Sequence, residues 1–190
     1  VLEQTGLQMS FSEKPIKRTA LKDLEYKAPS LPDLSKPTDR LVLFDLNGTL
    51  AHRSGVRWVF RHGITEIKTL QEKGTKVGLF TNKARKKIPL DKLQRAIGGE
   101  SFTFDCVLAG EECYKGRTKN KHDRPKSVDL YFKGDADKVC IVDDTPDKIP
   151  KRERHRLIEI STWEGADAKD TELLDCIKIA STFNTVVQSV

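Results

Sequence analysis

Long apolar runs are missing from this 190-residue sequence, and none approaches the ~18 residues that a membrane-spanning helix requires. The N-terminus also lacks the basic-then-apolar order of a secretory signal peptide. Cysteine is scarce. Cys106, Cys113, Cys140 and Cys176 show neither a CxxC pair nor histidines at finger spacing, which argues against a zinc site or a dithiol redox site. Reduced, structural thiols are expected instead, in the cytoplasm, the nucleus or a mitochondrial-matrix-like compartment. Internal repeats and low-complexity tracts are absent too, so nothing competes with a single α/β domain of ordinary size.

Positive charge is in modest excess, with 34 Lys and Arg against 28 Asp and Glu. It gathers in Lys83 to Lys87, Lys115 to Arg124 and Lys151 to Arg156. These runs lack the interleaved aromatics of a nucleic-acid stacking platform. They read as solvated faces and as aids to phosphate-bearing substrates, with contact to a polyanion as the alternative.

Residues 1–40 are polar and broken by Pro15, Pro29, Pro32 and Pro37, and are expected to form an arm or linker with at most a short helix near Thr19 to Tyr26. The domain is expected over residues 41–190. Short continuous apolar runs recur there: LVLFD, then VGLFT (Val77 to Thr81), CVLA (Cys106 to Ala109), VCIVDD (Val139 to Asp144) and RLIEI (Arg156 to Ile160). Such runs point to strands buried on both faces, as in parallel sheets. Between and after them, Ile64 to Lys73, Pro89 to Ile97 and Asp170 to Phe183 carry helical spacing, the first two closed by glycine and the third opened by Asp170. The expected architecture is a doubly wound, mostly parallel α/β sheet.

In such sheets ligands collect beyond the carboxyl ends of the strands. The residues there are Asp45, Thr81 and the pair Asp143 and Asp144. An Asp at a strand end followed by a glycine turn can face phosphate, provided a cation offsets the repulsion between carboxylate and phosphoryl group. Asp143 and Asp144 offer the hard oxygen ligands that Mg²⁺ prefers, and Lys126, in HDRPKSVDLYF, offers a fixed positive charge. Taken singly, an acidic strand end is more often a helix cap, and a lone lysine is more often solvated.

Taken together and in this order, they resemble the four motifs of the haloacid-dehalogenase superfamily. LFDLNGTL resembles the first, LFTN the second, Lys126 fits the third, and IVDDTPDKI resembles the fourth. Within that superfamily the sequence resembles the FCP/SCP-like, or NLI-interacting-factor-like, phosphatases of the RNA polymerase II C-terminal tail. The resemblance rests on FRHGITEIKTL after the first motif, CVLAGEECYKG before the lysine, and the closing STWEGADAKDTELLDCI. It implies a haloacid-dehalogenase-like fold with a small β insertion and no large cap, and an open cleft suited to a phosphorylated protein segment.

It further implies Asp45 as the nucleophile and Mg²⁺ as cofactor, held by Asp45, the backbone carbonyl of Asn47 and Asp144 or Asp143. Thr81, Asn82 and Lys126 would grip the phosphoryl oxygens. Asp143 would orient Lys126 if it is not itself a ligand, and the spacing leaves the two acids open.

The sequence departs from the family at Asn47, where the family carries the acid that protonates the leaving alcohol and then activates water. An amide transfers no proton, so binding is expected to survive while turnover falls by roughly 10²- to 10⁴-fold. His52 is considered as a substitute proton carrier. At a second departure, His62 stands where the family has proline, with Gly63 kept. Trp58 and Phe60, alternating with Val59, read as a strand or flap near the cleft, both packing on the core more than stacking on substrate. Two other readings remain: a catalytically silent module that binds protein or acidic lipid, as in an import-receptor branch of the family, and a phosphatase for nucleic-acid ends.

Overall fold

A computed structural model describes residues 28–113, 125–167 and 169–183. The short helix expected near Thr19 to Tyr26 and the whole of the Lys115 to Arg124 run lie outside the described residues. Five strands form one sheet: β1 (Leu41–Phe44), β4 (Lys76–Phe80), β5 (Cys106–Leu108), β6 (Val139–Asp143) and β7 (Leu157–Glu159). Their order is β5-β4-β1-β6-β7, and every pairing is parallel. The five runs read as buried strands are these five. A separate antiparallel hairpin joins β2 (Ala51–Ser54) to β3 (Arg57–Phe60), the small β insertion after the first motif.

Alternation along the strands sends side chains to two cores. Val42 and Phe44 of β1, Val77 and Leu79 of β4, and Cys140 and Val142 of β6 enter one core. Leu41, Leu43, Phe80, Val139 and Ile141 enter the other. The first is covered by α1 (Lys68–Glu72), α2 (Leu90–Gly98) and α3 (Glu172–Thr182) through Leu70, Leu93, Ile97, Leu173 and Ile177. Against the second pack Val128, Phe132, Ile149 and Leu34, carried on turns, on 3₁₀ segments and on the stretch that precedes β1. Among the described residues, then, the α-helices lie on one face, and the lysine-bearing segment before β6 covers the other.

The helix expected over Ile64 to Lys73 forms as a 3₁₀ turn, Ile64–Ile67, running into α1. Helix α3 begins at Glu172, two residues beyond the expected start. Asp170 still serves that end, accepting from the Glu172 N–H at 3.0 Å. All four cysteines are buried thiols and none is in a disulfide. Burial pushes Cys106 and Cys140 up to about 12 and Cys176 up to about 11. No helix of the described residues is long and apolar enough to cross a membrane.

Gly78 sits in the interior strand β4, where a Cβ would lie 2.6 Å from Cys106 Sγ and 2.7 Å from Leu43 Cδ2. Both neighbours are buried, so neither can give way freely. Gly78→Ala is expected to cost about 1–3 kcal/mol by overpacking, read as a lowered midpoint in urea denaturation with the slope unchanged.

Candidate active site

The carboxyl ends of β1 and β6 put two acids side by side. The register pairs Phe44 with Val142, and the Asp45 N–H donates to Val142 O at 2.9 Å, so Asp45 and Asp143 follow as neighbours on adjacent strands. By alternation both project toward the face covered by the lysine-bearing segment. Lys126 answers them. Its Nζ lies 2.6 Å from Asp45 Oδ1 and 2.5 Å from Asp143 Oδ2, and its side chain is 0% exposed. Burial alone would pull the ammonium below its ordinary pKa, but the charges and hydrogen bonds of Asp45 and Asp143 outweigh that and hold it above. Burial pushes Asp143 up to about 6, against the pull of Lys126 in the other direction.

The two neighbouring acids differ in how their oxygens are used. Asp143 commits one to Lys126 and the other to the Thr145 N–H at 2.8 Å. Asp144 accepts a hydroxyl from Thr162 at 2.8 Å and longer ones from Thr49 and Thr145, each at 3.4 Å. It is partly exposed, whereas Asp143 is fully buried. Carboxylate oxygens of Asp45, Asp143 and Asp144 all lie within 4.8 Å of one another, a hard-oxygen set suited to Mg²⁺. The turn after β1 makes room for this. Gly48 has φ +82°, and a Cβ there would come 2.3 Å from Asp144 Oδ2.

Thr81 directly follows β4 and is buried, as its place after an apolar strand implied. Its N–H is committed to Leu108 O at 2.9 Å, which leaves the hydroxyl as the group that can donate to a phosphoryl oxygen. The hydroxyl oxygen accepts from the Lys83 N–H at 3.3 Å and keeps its own proton to donate. Asn82 is half-buried beside it, with its carbonyl 2.5 Å from where a Cβ on Gly110 would be. Asn47 is exposed in the turn before β2. The His52 ring packs on Gly165, a Cβ there meeting it at 3.1 Å, and forms no hydrogen bond among the described residues.

Two residues that shape this centre were not singled out in the sequence. Arg61, in the RHG triplet, is buried; its guanidinium pairs with Asp170 and, at 2.9 Å, with Glu172, and donates to Gly48 O at 3.3 Å and Ser161 O at 3.0 Å. It ties the turn after Asp45 to the start of α3, and Gly63 two residues on was its one visible marker. Glu153 is buried within KRERHR, where one acid among basic neighbours reads as surface. It accepts from Ser127 Oγ at 2.7 Å and the Val128 N–H at 2.6 Å, fixing the turn that presents Lys126. The same run, read as a basic patch, is answered by acids: Arg154 pairs with Asp147, and Arg156 with Asp129 and Asp137.

The family model for NLI interacting factor-like phosphatases matches residues 40–190. The chain belongs to this family. The matched range includes the Asp45, Thr81, Lys126 and Asp143 to Asp144 cluster just described. Among solved structures, "The Structure of Fcp1, an essential RNA polymerase II CTD phosphatase" is similar at 16% identity, over 75% of this chain and 49% of that one, with a TM-score of 0.48. The fission yeast RNA polymerase II CTD phosphatase Fcp1 bound to beryllium fluoride is similar at 13% identity, over 76% and 50%, with a TM-score of 0.45. The chain thus spans about half the length of these two proteins. No curated protein matches.

Truncating Glu153 leaves two buried donors without an acceptor. Glu153→Ala is expected to cost about 2–4 kcal/mol in urea denaturation, and Glu153→Gln, which keeps one acceptor oxygen, distinctly less.

Proposed function

We propose that this family member is a Mg²⁺-dependent aspartyl phosphatase for phosphoserine and phosphothreonine in protein segments, its turnover limited by Asn47. The observation that carries the reading is the fully buried Lys126 ammonium held between Asp45 and Asp143, with Asp144 beside them. A structural ion pair needs one carboxylate. Three carboxylates and one buried ammonium leave excess negative charge, which a divalent cation would offset.

In this reading Asp45, Asp144 and the Asn47 backbone carbonyl hold the ion, while Asp143, both of whose oxygens are engaged, orients Lys126. Bound Mg²⁺ would neutralise phosphoryl charge as a Lewis acid. Asp45 attacks phosphorus, an aspartyl-phosphate bond forms, and the bond from phosphorus to the serine or threonine oxygen breaks. Lys126 and the Thr81 hydroxyl donate to the phosphoryl oxygens as their charge grows. The departing alkoxide must gain a proton, and the water that later attacks the aspartyl phosphate must lose one, restoring the Asp45 carboxylate and releasing inorganic phosphate. Asn47 can do neither, which places the deficit in both proton transfers and leaves phosphate binding intact. Between Asp45 and Thr81 stand the β2–β3 hairpin, the 3₁₀ turn and α1, so the mouth is open enough for a peptide.

Asn47 also favours a second reading, in which the fold binds phosphorylated or acidic partners without turning them over. One substitution separates the two. Asn47→Asp is expected to raise kcat for an aryl phosphate and for phosphopeptides by roughly 10²- to 10⁴-fold, with the gain dependent on Mg²⁺ and abolished by Asp45→Asn. Phosphopeptide binding with no turnover in the Asp form leaves the binding module. Absence of turnover together with absence of beryllofluoride binding removes the phosphatase reading.

A further inference from the structure

The positive charges near the cleft divide into those that are answered and those that are not. In the run that follows β4, Arg85 reaches the buried Glu112 at 3.0 Å. Among the described residues no carboxylate lies within ion-pair distance of Arg53, Lys83 or Lys87. Lys83 and Arg53 are nonetheless held together. The Lys83 N–H donates to Thr81 Oγ1 at 3.3 Å, and its carbonyl accepts from the Gly110 N–H at 2.8 Å. Its ammonium rests over the Trp58 ring, 4.9 Å from the centroid.

Trp58 in turn stands directly opposite Arg53 in the hairpin register, so the two side chains share one face of the ribbon. Arg53 Nε donates to Gly55 O at 3.0 Å, which sets the guanidinium at the hairpin tip. Burial lowers the pKa of Lys83, the charges of Arg53 and Lys87 lower it further, and Asp45 works against them. Lys83 thus stands near both Arg53 and Lys87, and it lies within the field of the candidate nucleophile.

Crowded cations without counter-ions, next to a phosphate site, form a place for a second anion. We propose that Arg53 and Lys83, flanked by Lys87, bind a second phosphoryl group on the same protein segment whose first phosphate occupies the Asp45 centre. This rests on the phosphatase reading above. A phosphoryl dianion answers the cluster better than one carboxylate, since it brings more charge and more acceptor oxygens to a guanidinium and an ammonium. Nucleic acid fits less well, because Trp58, the aromatic beside the cluster, is half-buried against the core and already carries the Lys83 ammonium.

The test is equilibrium binding of labelled phosphopeptides to the protein with Mg²⁺. The peptides share one sequence and carry one phosphoserine, two phosphoserines one to four residues apart, or one phosphoserine with glutamate in the second position. At one spacing the doubly phosphorylated peptide is expected to bind about tenfold tighter than the single one, with the advantage fading at high salt. Arg53→Gln combined with Lys83→Met is expected to erase that advantage while binding of the singly phosphorylated peptide and of beryllofluoride stays unchanged. Equal binding at every spacing overturns the proposal, as does a preference that survives in the double variant. Equal affinity for the glutamate peptide overturns the phosphoryl assignment, and oligonucleotide binding lost in the variant without any peptide preference assigns the cluster to nucleic acid. Beryllofluoride bound without a peptide preference sinks the second subsite alone, whereas failure of the unsubstituted protein to bind beryllofluoride removes the phosphatase reading and the subsite with it.

Discussion

Two carboxylates at the ends of adjacent parallel strands repel each other across a few ångströms, and one ammonium makes that arrangement tenable. Lys126 is out of contact with water and sits within 2.6 Å of Asp45 and 2.5 Å of Asp143. Desolvating three charges is costly, and the cost is offset when geometry is good and the remaining lone pairs are satisfied. The surroundings meet that condition: the Thr145 N–H closes on Asp143, Glu153 clamps the turn after Lys126, and the Lys126 N–H itself donates to Lys148 O at 2.7 Å. Packing on the second face of the sheet, through Val128 and Phe132, keeps this segment seated above the strand ends.

Strand identity was legible because each sheet strand is a short apolar run, and a parallel sheet buried on both faces demands that pattern. The strand-end acids were legible for the same reason, since hydrophobic runs point to where they stop. Lys126 was recognisable through family motifs, whereas its burial was not, because no periodicity marks a lysine that ends in a carboxylate pair. Arg61 and Glu153 show what local reading misses. Each earns its place from partners on distant parts of the chain, Arg61 from Asp170 and Ser161, Glu153 from Ser127 and Val128. In sequence both look like ordinary surface charges. Asp143 and Asp144 stood open as equivalent neighbours, and their hydrogen bonds set them apart in the fold.

The hairpin connects chemistry and recognition in one piece of chain. It leaves the turn after Asp45 through the bridge between Asn47 and Ala51 and returns to the core at Phe60 and Arg61. The face that buries Ala51 and Phe60 carries Arg53 and Trp58 further toward the tip, and Lys83 reaches across to it from the loop beyond β4. A shift of the hairpin would therefore move the surroundings of the Asp45 centre and the cation pair together.

The turn bearing Gly48 closes on itself through the Gly48 N–H to Ala51 O and the Ala51 N–H to Leu46 O, but chain made much later ties it to the rest of the molecule. The Trp163 N–H donates to Gly48 O at 2.8 Å, Thr162 reaches Asp144, and Arg61 meets its partners at Asp170 and Glu172. On a ribosome, β1 and its acid emerge first but stay without these fastenings until more than a hundred further residues have been added. Pairings so distant in sequence are slow to close. The strand-end acid cluster is consequently among the last parts to set during synthesis, and a nascent chain carries its motif long before it carries the assembled site.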